Sequence, residues 1–527
     1  MHPRRRPLLL VACCAVGLCV SALFGRSFSD RHSSHAGFHR VEVADRIDPV
    51  FDLRRPRQTA LVVFDGLGYV EAQTMRSLSL LQAHGQCRKT HVGPSSMSRP
   101  VYAVLSTGLE PDRTGARGND DTTPMAAQSL WEVARAAGLG VSVVSELPWW
   151  RELFPDTFEK YLLAERGENF FRLAPPADLR VIHPLYVDET GHEHGAASSQ
   201  YQAAVARADR ELSEFLATLD LSRDLVIVTA DHGHSLRGGH GGQQDRVAHV
   251  LTCHAGVGVR HMPEQRALDT TTIAPSLALL LGLPFPAHMR AGDDDLDALW
   301  EIADPDAFPA GYLEDRRAAV ERFRGENQAT LRSWMPASAG SWDRFHARSR
   351  WKQIARALPC LALLIVVFMA QRRLHRVTSP ESRHAATFGA GFVVAACLVI
   401  YALQVGLRGS FDLSSVAFRE EFLRFTVLLG IGWSLGAIGL HLLARRSVTA
   451  LIVDWSALSA VGTTLCLAHP LALGWQVGYP APTPALFFFP YFAALVLGAQ
   501  NGAGLLLAAI VALRGRSRAY LRPALRE

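Results

Sequence analysis

Residues 225–234 read LVIVTADHGH, and this stretch decides the fold. Leu225 to Thr229 is an uncharged, mostly β-branched run, the pattern of a strand buried on both faces of a sheet. Asp231 and His232 follow at once. TALVVFDGLG (59–68) repeats the arrangement, with a buried strand ending at Asp65. A third strand, Arg180–Val187, delivers Asp188 in YVDETGHEHG (186–195). Val141–Ser145 reads as another strand. Helical apolar spacing marks Glu71–His84, Pro100–Ser106, Ala126–Ala137 and Ser199–Leu219. Alternating strands and helices predict an α/β domain. Its carboxylates sit just past strand ends, where open α/β sheets build their sites.

Asp65, Asp188, His192, Asp231, His232 and His240 (in GGHGG, 238–242) supply the oxygen and nitrogen donors that two divalent metals need. Asp188 and His192 are four residues apart, so a helical turn brings them to one side. A candidate nucleophile, Ser98, lies in PSSMSRPVYAVLSTGLEPDRTGARGN (94–119). Paired metals beside a hydroxyl suit in-line displacement at phosphorus or sulfur. Singly these residues say little: an Asp after a strand is more often a cap or turn residue. The joint set in this order carries the reading. His194 and His234 read as surface residues or as supports of the ligands. His249, His254 and His261 carry no motif.

The same pieces, in the same order, resemble the alkaline phosphatase superfamily over Thr59 to Pro286. The likeness is to its type I phosphodiesterase/nucleotide pyrophosphatase and GPI ethanolamine phosphate transferase branches. DTTTIAPSLALLLGLPFP (269–286) resembles the helix and Gly-Leu-Pro turn that close such domains. The resemblance implies an alkaline phosphatase-like mixed sheet flanked by helices. It implies two divalent ions, Zn2+ or Mn2+, one at Asp188, His192 and His240, the other at Asp65, Asp231 and His232 with Ser98 as exchangeable ligand. It gives Asn119 a contact to the phosphoryl group and Ser98 a covalent phospho-intermediate. The implied reaction moves a phosphoethanolamine-like group to a glycan or lipid, or hydrolyses a phosphodiester. A reading of another class, an inactive membrane scaffold, is opposed by the intact Ser98 and six ligand positions. Three departures stand out. Ser98 replaces the usual Thr, Thr114-Gly115 replaces the usual His-Gly, and Ser98-Arg99-Pro100 lacks the Cys/Ser-x-Pro-x-Arg pattern of sulfatases.

At 527 residues the chain exceeds one ordinary domain. Its composition divides it into an N-terminal anchor or signal (1–25), an extracytoplasmic catalytic domain (26–290) and a charged juxtamembrane stalk (291–352). A five-helix transmembrane domain (353–513) and a cytoplasmic tail (514–527) follow. Apolar runs near 354–370, 386–407, 425–444, 448–468 and 485–513 suit an all-α transmembrane bundle. MHPRRR, QRRLHR (371–376), ARR (444–446) and RGRSR (514–518) then fall on the cytoplasmic side. RFHARSRWK (344–352) is basic yet lies outside, at the level of lipid headgroups. The catalytic domain would face a periplasm, an extracellular space or a lumen. The net charge of +5 sits largely beside apolar segments, so it reports topology. With no basic-aromatic stripe, the expected partners are a phospholipid or other phosphodiester and the membrane, not nucleic acid. Eight cysteines form no CxxC pair. Only Cys87 and Cys253 lie in the soluble part. An oxidising compartment would permit their disulfide, but sequence alone does not bring them together.

Overall fold

A computed structural model describes residues 6–33, 53–333 and 484–521, with isolated positions between 369 and 463. Residues 54, 94, 110–113, 115, 117, 120–121, 243, 263–265, 288 and 290–292 are excepted. The chain separates into two compact units, one over Ser33–Gly340 and one gathering Met1–His32 with Ser341–Phe411 and Phe418–Glu527; Asp412–Ala417 group with the first.

The first unit is built on one eight-stranded sheet. In chain order its strands are β1 (Thr59–Phe64), β2 (Gly85–His91), β3 (Val141–Ser145), β4 (Lys160–Leu163), β5 (Leu179–His183), β6 (Leu225–Ala230), β7 (His249–Gly256) and β8 (Leu268–Asp269). Across the sheet they run β4-β3-β5-β1-β6-β7-β2-β8. β7 is antiparallel to β6 and β2, and the other described pairs are parallel. Every residue of β1, β3 and β6 is buried, as their apolar runs require. β1 lies between β5 and β6, with Thr59 opposite Leu179 and Leu225, and Phe64 opposite Ala230. Asp65 and Asp231, each one residue past its strand, therefore emerge side by side.

Helices cover this sheet. The Ser199–Leu216 helix buries Tyr201, Val205, Ala208, Leu212 and Phe215, a stripe at 3–4 residue spacing. Its N-cap, Ser198, accepts a hydrogen bond from the Tyr201 amide. It packs against helices Tyr186–His194 and Arg76–Ala83, while the Ser98–Thr107 helix packs against Ile273–Leu280 and Leu130–Ala136.

Three expectations change. The strand expected to reach Val187 ends at His183, before Pro184, which has no amide hydrogen for the ladder. A helix starts at Tyr186, so Asp188 and His192 stand one helical turn apart. The expected Glu71–His84 helix divides into Tyr69–Ala72 and Arg76–Ala83. The segment read as a stalk from 291 begins inside the domain. Ala298, Leu299, Ile302, Ala303, Tyr312 and Val320 belong to the domain's core, and Arg316 donates to the Leu283 carbonyl. At the sheet's other side, Cys87 and Cys253 are register partners on β2 and β7, and their sulfurs are bonded.

In the second unit the Arg6–Ser33 helix runs past the expected end of the anchor. Its Leu10 and Cys14 cluster with Leu451, Ile452, Trp455, Leu507 and Ala508. Among the described residues, Ala494–Val511 within helix Pro484–Leu521 is the one stretch long and apolar enough to cross a bilayer. The spans expected near 354–370 and 386–407, and most of those near 425–444 and 448–468, lie outside the described residues.

Candidate metal centre

Three adjacent parallel strands bring the candidate ligands together. Asp65 leaves β1, Asp231 and His232 leave β6, and Asp188 and His192 come from the helix after β5. The turn after β1 needs glycine. Gly66 has φ +75°, and a Cβ there would lie 2.6 Å from the Asp188 Cα. The Gly66 amide donates to Asp231 Oδ1 at 3.0 Å, as does the His232 amide at 2.9 Å. Asp65, Asp231 and His232 form one group of converging donors, all buried. His232 Nε2 is 3.5 Å from Asp65 Oδ1 and 3.4 Å from Asp231 Oδ2. Ser98 opens the helix Ser98–Thr107 and places its Oγ 3.2 Å from the same nitrogen. The second set is equally close. His192 Nε2 lies 3.0 Å from His240 Nε2 and 3.5 Å from Asp188 Oδ2, and His240 Nε2 is 3.7 Å from Asp188 Oδ1.

The donors fit cations. Asp65 Oδ1 and Asp231 Oδ2 are buried with no hydrogen-bond partner, which is costly unless a cation faces them. His240 Nδ1 lies 2.7 Å from the Ser96 carbonyl, which can only accept. Its proton is therefore on Nδ1, and Nε2 offers a lone pair toward His192. Burial, with Asp65 and Asp188 adding repulsion, pushes Asp231 well above the usual carboxylate range. Burial would also raise Asp188, but His192, His234 and His240 outweigh it and hold it well below that range. Burial lowers His232 to about 4 and, with His232 beside it, holds His240 well below the usual imidazole range. Both imidazoles are then neutral at pH 7, the form that ligates metal.

Residues 135–237, which include β3 to β6 and Asp188, His192, Asp231 and His232, match the type I phosphodiesterase / nucleotide pyrophosphatase family. The match lies within the first unit. The chain is 25% identical over 230 residues to the human GPI ethanolamine phosphate transferase 3 catalytic subunit, covering 40% of this chain and 21% of that protein. It is 32% identical over 114 residues to GPI ethanolamine phosphate transferase 3 of Schizosaccharomyces pombe, covering 21% of this chain and 12% of that one. The chain thus spans about a fifth or less of the length of these relatives. Among solved structures, murine ectonucleotide pyrophosphatase / phosphodiesterase 5 is 14% identical, with a TM-score of 0.36, covering 44% of this chain and 96% of that one.

Around the candidate site stand residues that carry no motif. The Tyr102 hydroxyl, one turn after Ser98, donates to Asp65 Oδ2 at 2.5 Å. His183, at the end of β5, has Nε2 3.2 Å from the same oxygen. The Trp150 indole N–H, a pure donor, points at His183 Nδ1 from 3.2 Å, so the His183 proton is on Nε2, facing Asp65. Asn119 Oδ1 accepts from the Arg99 amide at 3.1 Å, tying Asn119 to the start of the Ser98 helix. The Arg99 guanidinium is buried, paired with Glu152 and stacked 4.7 Å from the Trp149 ring. Arg113 and Arg117 lie outside the described residues. His194 is exposed, 3.7 Å from Glu193. His234 is fully buried, with Nε2 2.8 Å from Asp188 Oδ1. Glu146, just past β3, is pushed up to about 7 by burial and then by Glu189.

Proposed function

We propose that this chain is a membrane-bound, two-metal phosphotransferase that cleaves a phosphodiester through a covalent phospho-Ser98 intermediate. The group it moves is phosphoethanolamine-like, and the acceptor is a glycan or lipid. The observation that carries the reading is Ser98 Oγ, 3.2 Å from His232 Nε2 and beside the buried Asp65 and Asp231 carboxylates. Asp188, His192 and His240 would hold one divalent ion and Asp65, Asp231 and His232 the other, Zn2+ or Mn2+. The ions would supply positive charge for the Ser98 oxygen and for the phosphoryl and leaving oxygens. Ser98 Oγ gives its proton to water and bonds to phosphorus as the bond from phosphorus to the donor's alcohol breaks, and that alcohol leaves with a proton from water. An acceptor hydroxyl then bonds to phosphorus, the Oγ–P bond breaks, and the acceptor's proton restores Ser98. Both displacements take place at a helix N-terminus, which favours the negative phosphoryl group. Asn119 positions a nonbridging oxygen through its amide N–H.

The relatives named as GPI ethanolamine phosphate transferases support the choice of group. The apolar Ala494–Val511 helix supports a lipid substrate. The Cys87–Cys253 disulfide and the arginine distribution support an extracytoplasmic catalytic domain. Arg99 is paired with Glu152, so the site is better suited to a singly charged diester than to a monoester dianion. Hydrolysis of a diester, with water as acceptor, is the second reading and uses the same Ser98 step.

The test is full-length protein in detergent with a headgroup-labelled phosphatidylethanolamine. The wild type should release diacylglycerol and carry label on Ser98. Ser98→Ala should lose turnover by about 10³-fold or more while keeping its metals. Unchanged turnover in the variant would place the nucleophile elsewhere, and a metal-loaded wild type inert toward every diester would favour the scaffold.

A further inference from the structure

We propose that His234 is a third imidazole ligand of the ion held at Asp188 and His192, and that Gly191 is the residue that makes room for it. This rests on the two-metal reading and extends it to a residue that the six-ligand set leaves out. In the helix Tyr186–His194, Asp188, Gly191 and His192 share one face, at spacings of three and four. The His234 ring lies directly on the bare backbone at Gly191. A Cβ at that position would stand 2.4 Å from His234 Cδ2, 2.5 Å from Nε2 and 2.6 Å from Cγ. Within a helix a glycine is disfavoured relative to alanine. The seat for His234 is a physical reason for that cost here.

Once seated, His234 is fully buried and its Nε2 lies 2.8 Å from Asp188 Oδ1. Its ring stands nearly perpendicular to those of His192 and His240, with centroids 5.1 and 5.4 Å away. One ligand atom from each of Asp188, His192 and His234 falls within 4.8 Å of the others. Adding His234 to Asp188, His192 and His240 makes a set of one carboxylate and three imidazoles. Such a nitrogen-rich set favours zinc over manganese, which prefers oxygen donors.

The competing role is positioning, in which His234 only donates an N–H to Asp188. Glutamine and methionine separate the two. His234→Gln keeps an N–H donor but is a poor ligand, and His234→Met fills the buried volume with neither. The experiment uses full-length protein in detergent, counts metal by mass spectrometry and measures zinc affinity by chelator competition. Retained disulfide and tryptophan fluorescence report the fold. Wild type should hold two zinc ions per chain, and His192→Ala should lose one. His234→Gln and His234→Met should each weaken zinc at one position by about 100-fold or more and reduce its preference over manganese. Gly191→Ala should weaken the same position, and Gly191→Ala with His234→Gln should be no weaker than His234→Gln alone. Wild-type affinity in His234→Gln would overturn the ligand role, whether or not His234→Met is impaired. A wild type without two metals, or a His192→Ala variant that keeps both, would instead sink the two-metal reading.

Discussion

Tyr102→Phe removes one oxygen and little else. The ring stacks on Trp150, with centroids 4.6 Å apart and planes 10° apart, and the residue is fully buried. Phenylalanine keeps that packing, so the change isolates the 2.5 Å hydrogen bond to Asp65 Oδ2. Burial, then the Asp65 charge, holds the phenol well above its ordinary pKa, so it is a donor throughout the accessible pH range. A hydrogen bond to a charged group contributes about 1.5–3 kcal/mol. His183 Nε2, 3.2 Å from the same oxygen, remains to offset part of that loss. At roughly 1.4 kcal/mol per decade, metal affinity at the Asp65 position should fall about 10- to 100-fold. Chelator competition on the full-length protein reads the affinity, and kcat/KM on a phosphodiester at saturating zinc reads what remains. The thermal midpoint of the zinc-loaded variant should stay close to wild type. Affinity and kcat/KM both within twofold of wild type would refute the idea that Tyr102 aims the Asp65 carboxylate at an ion.

Two further outcomes concern the domain as a whole. Replacing Cys87 and Cys253 by serine opens a cross-link between residues 166 apart. Chain entropy sets a limit near ~5 kcal/mol, and about 2–5 kcal/mol is the usual measured loss. Denaturant unfolding should show it, and both thiols of native protein should resist alkylation until reduced; rapid alkylation without reductant would place the domain in a reducing compartment. Acid stability should depend on His254, whose pKa burial, then Arg88, lowers to about 3 from 6.5. The unfolded chain takes up this proton near 6.5 and the native state only near 3, so stability is complete above 6.5 and is lost as pH falls between the two. His254→Gln should flatten that limb of the stability profile, and an unchanged slope would exclude His254 as its source.

The parts of the fold legible in sequence are those whose signal is local. TALVVF and LVIVTA are apolar without interruption because both sheet faces are covered, and a charged residue after such a run marks a strand end. β2, GQCRKTH, shows no apolar period, because its order comes from pairing with β7 and from the disulfide. DDDLDALW reads as solvated because its acids dominate, yet Ala298 and Leu299 are buried against the core. The six candidate ligands were legible as a set because their order is informative. Tyr102 and His183 were not, since each is a single polar residue in an apolar element. His234 read as a surface or supporting residue because nothing local reveals that Gly191, over forty residues earlier, vacates its place.

On the two-metal reading, the order β5-β1-β6 has a consequence for how the ions would be acquired. In the unfolded chain only Asp188 with His192, and Asp231 with its adjacent histidines, are near one another. Asp65, the Asp188–His192 turn and the 231–240 segment come together only when the three strands have paired. Such ions would therefore have high affinity for the folded domain and little for the chain beforehand, and their capture would draw the folding equilibrium forward by mass action. If the domain folds beyond the membrane, it crosses without metal. The free zinc and manganese of the receiving compartment, rather than of the cytosol where the chain is made, would then decide which ion it carries.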